Sequence, residues 1–447
     1  MMASDSQTDD YQELCQSFRW RLPEHFNIAE DVCGRWAGDR SRFALYYEDA
    51  RGFTSAHSFW DIQSEANRLS NVLAALATVR GDRVAVILPQ RPEAAIALVA
   101  ILQMGAIAVP LAHRLGPDAL AHRLSDVAAH LAIVDETALP TLAQVRHRLP
   151  ALRHVIAVGA AIGKAVKPWG EVVEHASPRY MPVITAAGDP ALILYSGASS
   201  GRAQGVVMAQ RTLLGNLDAY VSAHASFPQP GDLFWSAVDW ARSGGLWQGL
   251  LATWHFGRPL LAYNGPFDAG KAFALLQRYA VQNCLLEPPA LQMMQQTLPE
   301  PRATCDLELR TLASSGPPLP EPIRRWSQEK LGVTISQPWC RTGTSGILGH
   351  CAARWPSSPG SLGRPYPGHR VAIVDRQGMV LRPGEVGELA ANRQCNGEDD
   401  PALLLGFWQS PAETTARLVG DGWVLTGDLA TVDAKGDFWH RGRTGDA

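Results

Sequence analysis

An α/β fold is predicted, with two doubly wound subdomains followed by a β-rich one, and three observations predict it. Between residues 83 and 158 short apolar runs alternate with longer helical patterns, the rhythm of parallel strands joined by helical crossovers. The short runs are apolar throughout and lack period-two alternation, so helices should cover both faces of the sheet. After about Gly346 helical periodicity fades into short runs separated by Gly- and Pro-bearing turns, as antiparallel strands require.

From residue 83 the chain reads as strand 84–88, helix 92–104, strand 106–111, helix 118–130, strand 131–134, helix 142–147 and strand 154–158. Pro92 and Glu93 suit a first helical turn, and Gly105 can stop that helix. Residues 94–112 carry no charged side chain and approach the length of a bilayer span. Their alanine content and the interruptions at Gly105 and Pro110 favour a buried helix followed by a buried strand, so no membrane span is expected. Residues 163–187 are more polar, with Pro168, Pro178 and Pro182, and read as a bridge. The rhythm then resumes with strands 191–194, 232–235, 259–263, 309–313 and 333–336 and helices 207–223, 245–256, 269–279 and 322–331. In the last part, strands 370–374, 380–381, 387–391 and 423–425 precede a hairpin at 431–443 that turns at 434–436. The expected units are therefore 1–185, 186–345 and 346–447.

A length of 447 residues accommodates two or three compact units, and a hydrophobic fraction of 46% can fill their cores. Forty Lys and Arg against 43 Asp and Glu leave a formal charge of −3, too balanced to supply the field on which phosphate-backbone binding depends. Nucleic acid is not an expected partner. The seven cysteines form no CxxC pair, which suits a reducing cytosol and argues against a disulfide framework or zinc ribbon. The polar, acidic N-terminus has the reverse of a secretory signal's order, so a cytoplasmic location is expected.

The segment 196–205, SGASSGRAQG, lies between an apolar strand and a helix. Small residues admit close backbone approach, and hydroxyls with exposed N–H groups make a concavity suited to phosphate. It is not a Walker A loop, since no Gly-Lys-Ser/Thr follows. Taken alone, such a turn is more often a plain connection. It also satisfies G-x-S-x-G with Ser199 central, and Asp428 and His440 follow in the order of an α/β-hydrolase triad. Against a serine hydrolase, an elbow passes at once into its helix, whereas residues 202–205 prolong the loop.

Several blocks in order resemble the AMP-forming acyl-CoA synthetases of the adenylate-forming superfamily over residues 26–446. They are GDRVAV at 81–86 with LPQ at 88–90, the Ser/Gly loop 196–205, DWA at 239–241 with Gly244 and Gly245, GW at 422–423, TGDL at 426–429, and Gly442-Arg443. The resemblance implies the fold of those enzymes' large N-terminal portion, with ATP or AMP, CoA and Mg²⁺ as cofactors and a small carboxylic acid, fatty or aryl, as substrate. It implies phosphate contacts from Ser196, Gly197, Ser199, Ser200 and Gly201 and a catalytic, phosphate-contacting Thr342. Trp339 would stack on adenine near Gly316, Asp428 would accept from the ribose hydroxyls, and Arg443 would add a nucleotide contact. Asp239, Trp240 and Cys340 would border the acyl pocket. Trp240, Trp247 and Trp254 recur every seven residues, a spacing that packing against a sheet explains equally well.

The departures from the family pattern have chemical consequences. Gln204 stands where the loop carries Lys, with Ala203 for Pro before it. Gly343 stands where a Glu helps to hold Mg²⁺, and offers no carboxylate to a hard cation, so a weakened metal site is expected. Pro317 replaces a second Glu, and Gly445 a hinge Asp or Lys. The sequence ends at Ala447, where the family's small C-terminal domain with its Lys would begin, so that domain is expected to be absent unless a separate protein supplies it. Losing one preorganised donor costs ~10²-fold or more, so low turnover is expected. A non-catalytic nucleotide- or acyl-binding relative of a ligase is the alternative.

Overall fold

The computed structural model describes residues 5–444 apart from 162, 164, 196–202, 226, 317–318, 345 and 356–357. The architecture is mixed α/β, built on two large sheets and a smaller antiparallel one. In the first sheet eight strands lie in the order Gly406–Phe407, Gly205–Ala209, Pro190–Tyr195, Ile107–Pro110, Arg83–Ile87, Leu131–Asp135, His154–Val158 and Val166–Pro168. Pairing is parallel from Pro190–Tyr195 through to Val166–Pro168. It becomes antiparallel at the edge, where Gly205–Ala209 meets Pro190–Tyr195 and Gly406–Phe407. Strand Leu131–Asp135 is buried along its whole length, the signature of a strand covered on both faces.

The second sheet has the order Ile335–Ser336, Thr311–Ser314, Asn283–Leu286, Phe234–Ser236, Leu260–Asn264, Phe43–Asp49 and Thr54–Ser58. Its pairs are parallel except the terminal hairpin of Phe43–Asp49 with Thr54–Ser58. The sheets thus draw strands from across the boundary read at 185. Phe43–Asp49 runs beside Leu260–Asn264 in the second sheet, while Pro190–Tyr195 pairs with the first through Ala108 and Leu192.

The helix expected over 207–223 is corrected: Gly205–Ala209 is a strand, and the helix spans Thr212–Ala223. The five strand residues are all buried, and β-branched Val206 and Val207 gain more on a pleated surface than in a helical turn. Between the sheets, helix Pro92–Gln103 is buried at every position except Glu93, which accounts for its uncharged stretch. Among the described residues no helix is long and apolar enough to cross a membrane. Trp247 and Trp254 are fully buried in the same core and Trp240 nearly so.

In the third sheet Val371–Val374, Gly387–Asn392, Trp423–Val432 and Leu418–Val419 lie side by side, and Phe438–Arg443 pairs with Trp423–Val432. The hairpin between the last two turns where the sequence indicates, the Gly436 amide donating to the Asp433 carbonyl at 3.0 Å. Two Asp433 carboxylate bonds, from the Lys435 and Asp437 amides, hold the turn.

Candidate functional site

The parallel strands of the second sheet end together, and the residues just past them open a cleft. Val238 follows Phe234–Ser236, Glu287 follows Asn283–Leu286, and Ser315 and Gly316 follow Thr311–Ser314. Ligands of open α/β sheets bind outside such carboxyl ends. The first sheet contributes Tyr195 and the segment Ala203–Val206, and the third contributes Leu425, Thr426 and Arg443. The enclosed volume is about 1040 Å³, ample for a nucleotide with an acyl group beside it.

On one wall, the chain leaving strand Pro338–Trp339 places Cys340, Arg341 and Thr342 along the cleft. Beside it, strand Trp423–Val432 is irregular. Glu388 faces Leu429 and Ala390 faces Leu425, so the residues between them are pushed out of the ladder as a bulge, a device common beside active sites. The Thr426 hydroxyl donates to the Leu389 carbonyl at 2.7 Å, and the Gly427 amide donates to the Glu388 carboxylate at 2.8 Å. The bulge fixes Asp428, which is also the register partner of Arg443 on the next strand.

Asp428 is 0% exposed, and a buried carboxylate requires a counter-charge. Arg341 provides it as a two-pronged pair, Nε to Oδ2 at 2.8 Å and an Nη to Oδ1 at 2.7 Å. Arg443 Nε stands 3.6 Å and His440 Nε2 3.8 Å from the same Oδ1, too far for hydrogen bonds. Among the described residues, the cleft's other arginines have their own anions, Arg242 with Glu287 at 2.8 Å and Arg417 with Glu413 at 3.7 Å. Deep in the cleft the Tyr195 hydroxyl donates to Asp126 at 2.6 Å. Burial, reinforced by that bond and the carboxylate's charge, pushes the phenol's pKa far up.

Of the residues read from the sequence, Gly316, Cys340, Thr342 and Arg443 line the cleft together, with Gln204 and Ala203. Asp428 lies one layer behind the wall, under Arg341. Trp339 is 8% exposed and belongs to the apolar core instead of the cleft lining. Asp239 and Trp240 also stand outside the lining, although Val238, Arg242, Ser243 and Gly244 are within it. Asp239 shapes the loop: its carboxylate accepts from the Ala241 amide at 2.9 Å. Its carbonyl comes so close to Gly245 that a Cβ there would stand 2.3 Å away, so only glycine fits. Ser196, Gly197, Ser199, Ser200, Gly201, Pro317 and Gly445 lie outside the described residues. Arg341, the residue that closes the site, was not among the sequence candidates.

A sequence model of the family described as "AMP-binding enzyme" matches residues 35–397. The chain belongs to the AMP-binding enzyme family. Its similarity to acetyl-coenzyme A synthetase of Bacillus subtilis (strain 168) is 28% identity over 461 residues, covering 99% of this chain and 78% of the relative. With the mouse mitochondrial acyl-coenzyme A synthetase ACSM3 it is 28% over 462 residues, covering 99% and 77%. Among solved structures, the Brucella canis acyl-CoA synthetase aligns with a TM-score of 0.85 at 23% identity, over 99% of this chain and 80% of that one. The anthranilate CoA ligase AuaEII, crystallised with anthranoyl-AMP, aligns with a TM-score of 0.85 at 22% identity, over 95% and 79%. This AMP-binding enzyme thus has the fold of adenylate-forming enzymes and is acyl-CoA-synthetase-like.

For Mg²⁺, the described residues hold no group of three or more His, Cys, Asp or Glu side chains able to bind a metal ion, and Gly343 brings no carboxylate beside Thr342. In this AMP-binding enzyme His440 and Asp428 are not hydrogen-bonded, and the carboxylate that a hydrolase triad would use is held by Arg341.

Proposed function

We propose that this cleft binds an adenine nucleotide and activates a fatty or aryl carboxylic acid as its acyl-adenylate, for transfer to CoA. In the first step a carboxylate oxygen bonds to the α-phosphorus of ATP and the bond to pyrophosphate breaks. In the second, the CoA sulfur bonds to the acyl carbon, loses its proton and displaces AMP. The observation that carries this reading is the convergence of Gly316, Thr342, Arg443 and, behind the wall, Asp428 at the carboxyl ends of the second sheet's strands, in a chain of the AMP-binding family. Thr342 would contact the phosphates through its hydroxyl and Asp428 would accept from the ribose. Cys340 and Val238 would border the acyl group. The scattered cysteines suit a cytoplasmic setting.

A second reading, a nucleotide binder with little or no turnover, is favoured by Gln204 and Gly343, where the family pattern has a cation and an anion. One experiment separates the two: pyrophosphate release with ATP and a panel of fatty and aryl acids, with calorimetry for ATP and AMP. Acid-dependent release that falls ~10²-fold or more in Asp428→Asn is the expected result. Nucleotide binding without release supports the binder, and absence of both overturns the assignment of the cleft.

A further inference from the structure

We propose that Arg341 selects for the phosphate of the nucleotide: it covers Asp428, gives that carboxylate up to the ribose hydroxyls when a nucleotide binds, and turns its guanidinium to the α-phosphate. This rests on the reading of the cleft as an adenylate site.

Two guanidiniums, Arg341 and Arg443, converge on the single carboxylate of Asp428, and the Glu388 carboxylate lies beside it on the Gly427 amide. Among the described residues, the cleft's other arginines, Arg242 and Arg417, each face a glutamate of their own. Gln204, on the same cleft, adds no charge. Arg341 and Arg443 are the described arginines of the cleft that share one carboxylate, so the cation able to exchange its partner for a phosphate is one of this pair. The two side chains are similarly exposed, 38% and 33%, but Arg341 lies on the loop directly before Thr342, whereas Arg443 is held in a strand in register with Asp428; we take Arg341 as the one that turns. The buried Arg443 Nε has no hydrogen-bond partner among the described residues, so it is placed to take over the carboxylate when Arg341 leaves.

Access supplies the second argument. Both oxygens of Asp428 are fully buried and both accept from Arg341. A ribose diol cannot donate to them until the arginine moves, so every nucleoside must displace this ion pair. A nucleoside with a phosphate offers the displaced guanidinium a new two-pronged anion. One without a phosphate offers nothing in return.

Calorimetric titration of AMP and of adenosine into the wild-type chain, Arg341→Met and Arg341→Lys tests this. In Arg341→Met adenosine should bind several-fold tighter, since no ion pair need be broken. AMP should bind about 10- to 100-fold weaker, the usual effect of one charge-assisted bond. Arg341→Lys keeps the charge without the fork and should fall between. The wild-type preference for AMP over adenosine should shrink with added salt, and that of Arg341→Met should not. Equal weakening of both ligands in the two variants, with intact thermal unfolding transitions, would show a structural role and overturn the proposal. Tighter binding of both would make Arg341 a plug only, and overturn it too. If the wild-type chain binds neither ligand nor an acyl-adenylate mimic, the functional reading fails first, and that result is distinguishable from the others.

Discussion

Gly343 lies at φ +94°, and a Cβ there would stand 3.1 Å from Val206 Cγ1 and 3.4 Å from Leu404 Cβ. Its carbonyl accepts from the Leu404 amide at 2.8 Å, which fixes the loop in that conformation. A side chain at this position meets left-handed strain as well as crowding. Gly343→Glu is therefore expected to lower stability by about 1–2 kcal/mol in urea unfolding, and not to strengthen the Mg²⁺ dependence of nucleotide binding. Equal stability with tighter Mg²⁺ binding would show that the loop rearranges freely. The Arg341–Asp428 pair predicts an asymmetry. Arg341→Met removes the two hydrogen bonds that hold the Asp428 carboxylate and leaves it with Arg443 at 3.6 Å, at a cost of about 2–4 kcal/mol. Asp428→Asn leaves arginines that are each about one-third exposed and that water can solvate, at about 1–2 kcal/mol. Urea midpoints of the two variants should rank in that order, and the reverse ranking would mean that Arg443 alone satisfies the carboxylate.

The segment from Ser243 to His255 shows what an element contributes. It passes through a π-helical turn at Leu246–Leu251, and such turns are often found beside functional sites. Gly245 allows its tight entry from the Asp239 loop. Trp254 anchors its far end, its indole donating to the Ala44 carbonyl of strand Phe43–Asp49 at 2.8 Å. Trp254→Ala should cost about 3–5 kcal/mol from the cavity and the lost bond, read as a lower thermal midpoint; a cost below 1 kcal/mol would mean that the core collapses around the gap. The heptad of tryptophans was legible in the sequence, and so were most of the parallel strands from residue 83 onward, because buried strands are written as unbroken apolar runs; Asn283–Leu286 and Val166–Pro168, short and carrying polar or proline residues, were not. Strand Phe43–Asp49 was not. Glu48 and Asp49 interrupt its apolar run, yet Glu48 is 0% exposed, neutralised by Lys271 and Arg278 and hydrogen-bonded by Tyr279. Gly316, Cys340, Thr342 and Arg443 were legible as parts of the cleft through their motif blocks. Arg341 was not, since its carboxylate lies 87 positions away and no local pattern joins them.

Across the whole molecule, a buried and a half-buried titrating group at the helix Thr212–Ala223 oppose each other in acid. His224 follows that helix, packed among Tyr220, Phe227 and Phe234, with its Nδ1 2.9 Å from the Thr311 hydroxyl. Burial first, and then the Arg310 charge, press its pKa down to about 3. The folded state therefore holds the neutral ring. The stability this contributes is complete above the unfolded value of about 6.5 and is lost, by roughly 1.4 kcal/mol per pH unit, as pH falls toward the folded value. Asp218 has the opposite sign. Burial raises its carboxyl to about 6 against the opposing pull of His369, so its contribution is present below the unfolded value near 3.9 and is lost as pH rises through 6. Between pH 6 and 4 the two slopes partly cancel, and single variants should expose them. Relative to the wild-type chain, His224→Gln should gain stability on acidification from pH 6 to 4, and Asp218→Asn should lose it, in urea unfolding at each pH. Parallel curves for all three proteins would show that neither group titrates differently on folding. A crossing of the two variant curves is the expected signature, because each variant leaves the other group's slope unopposed.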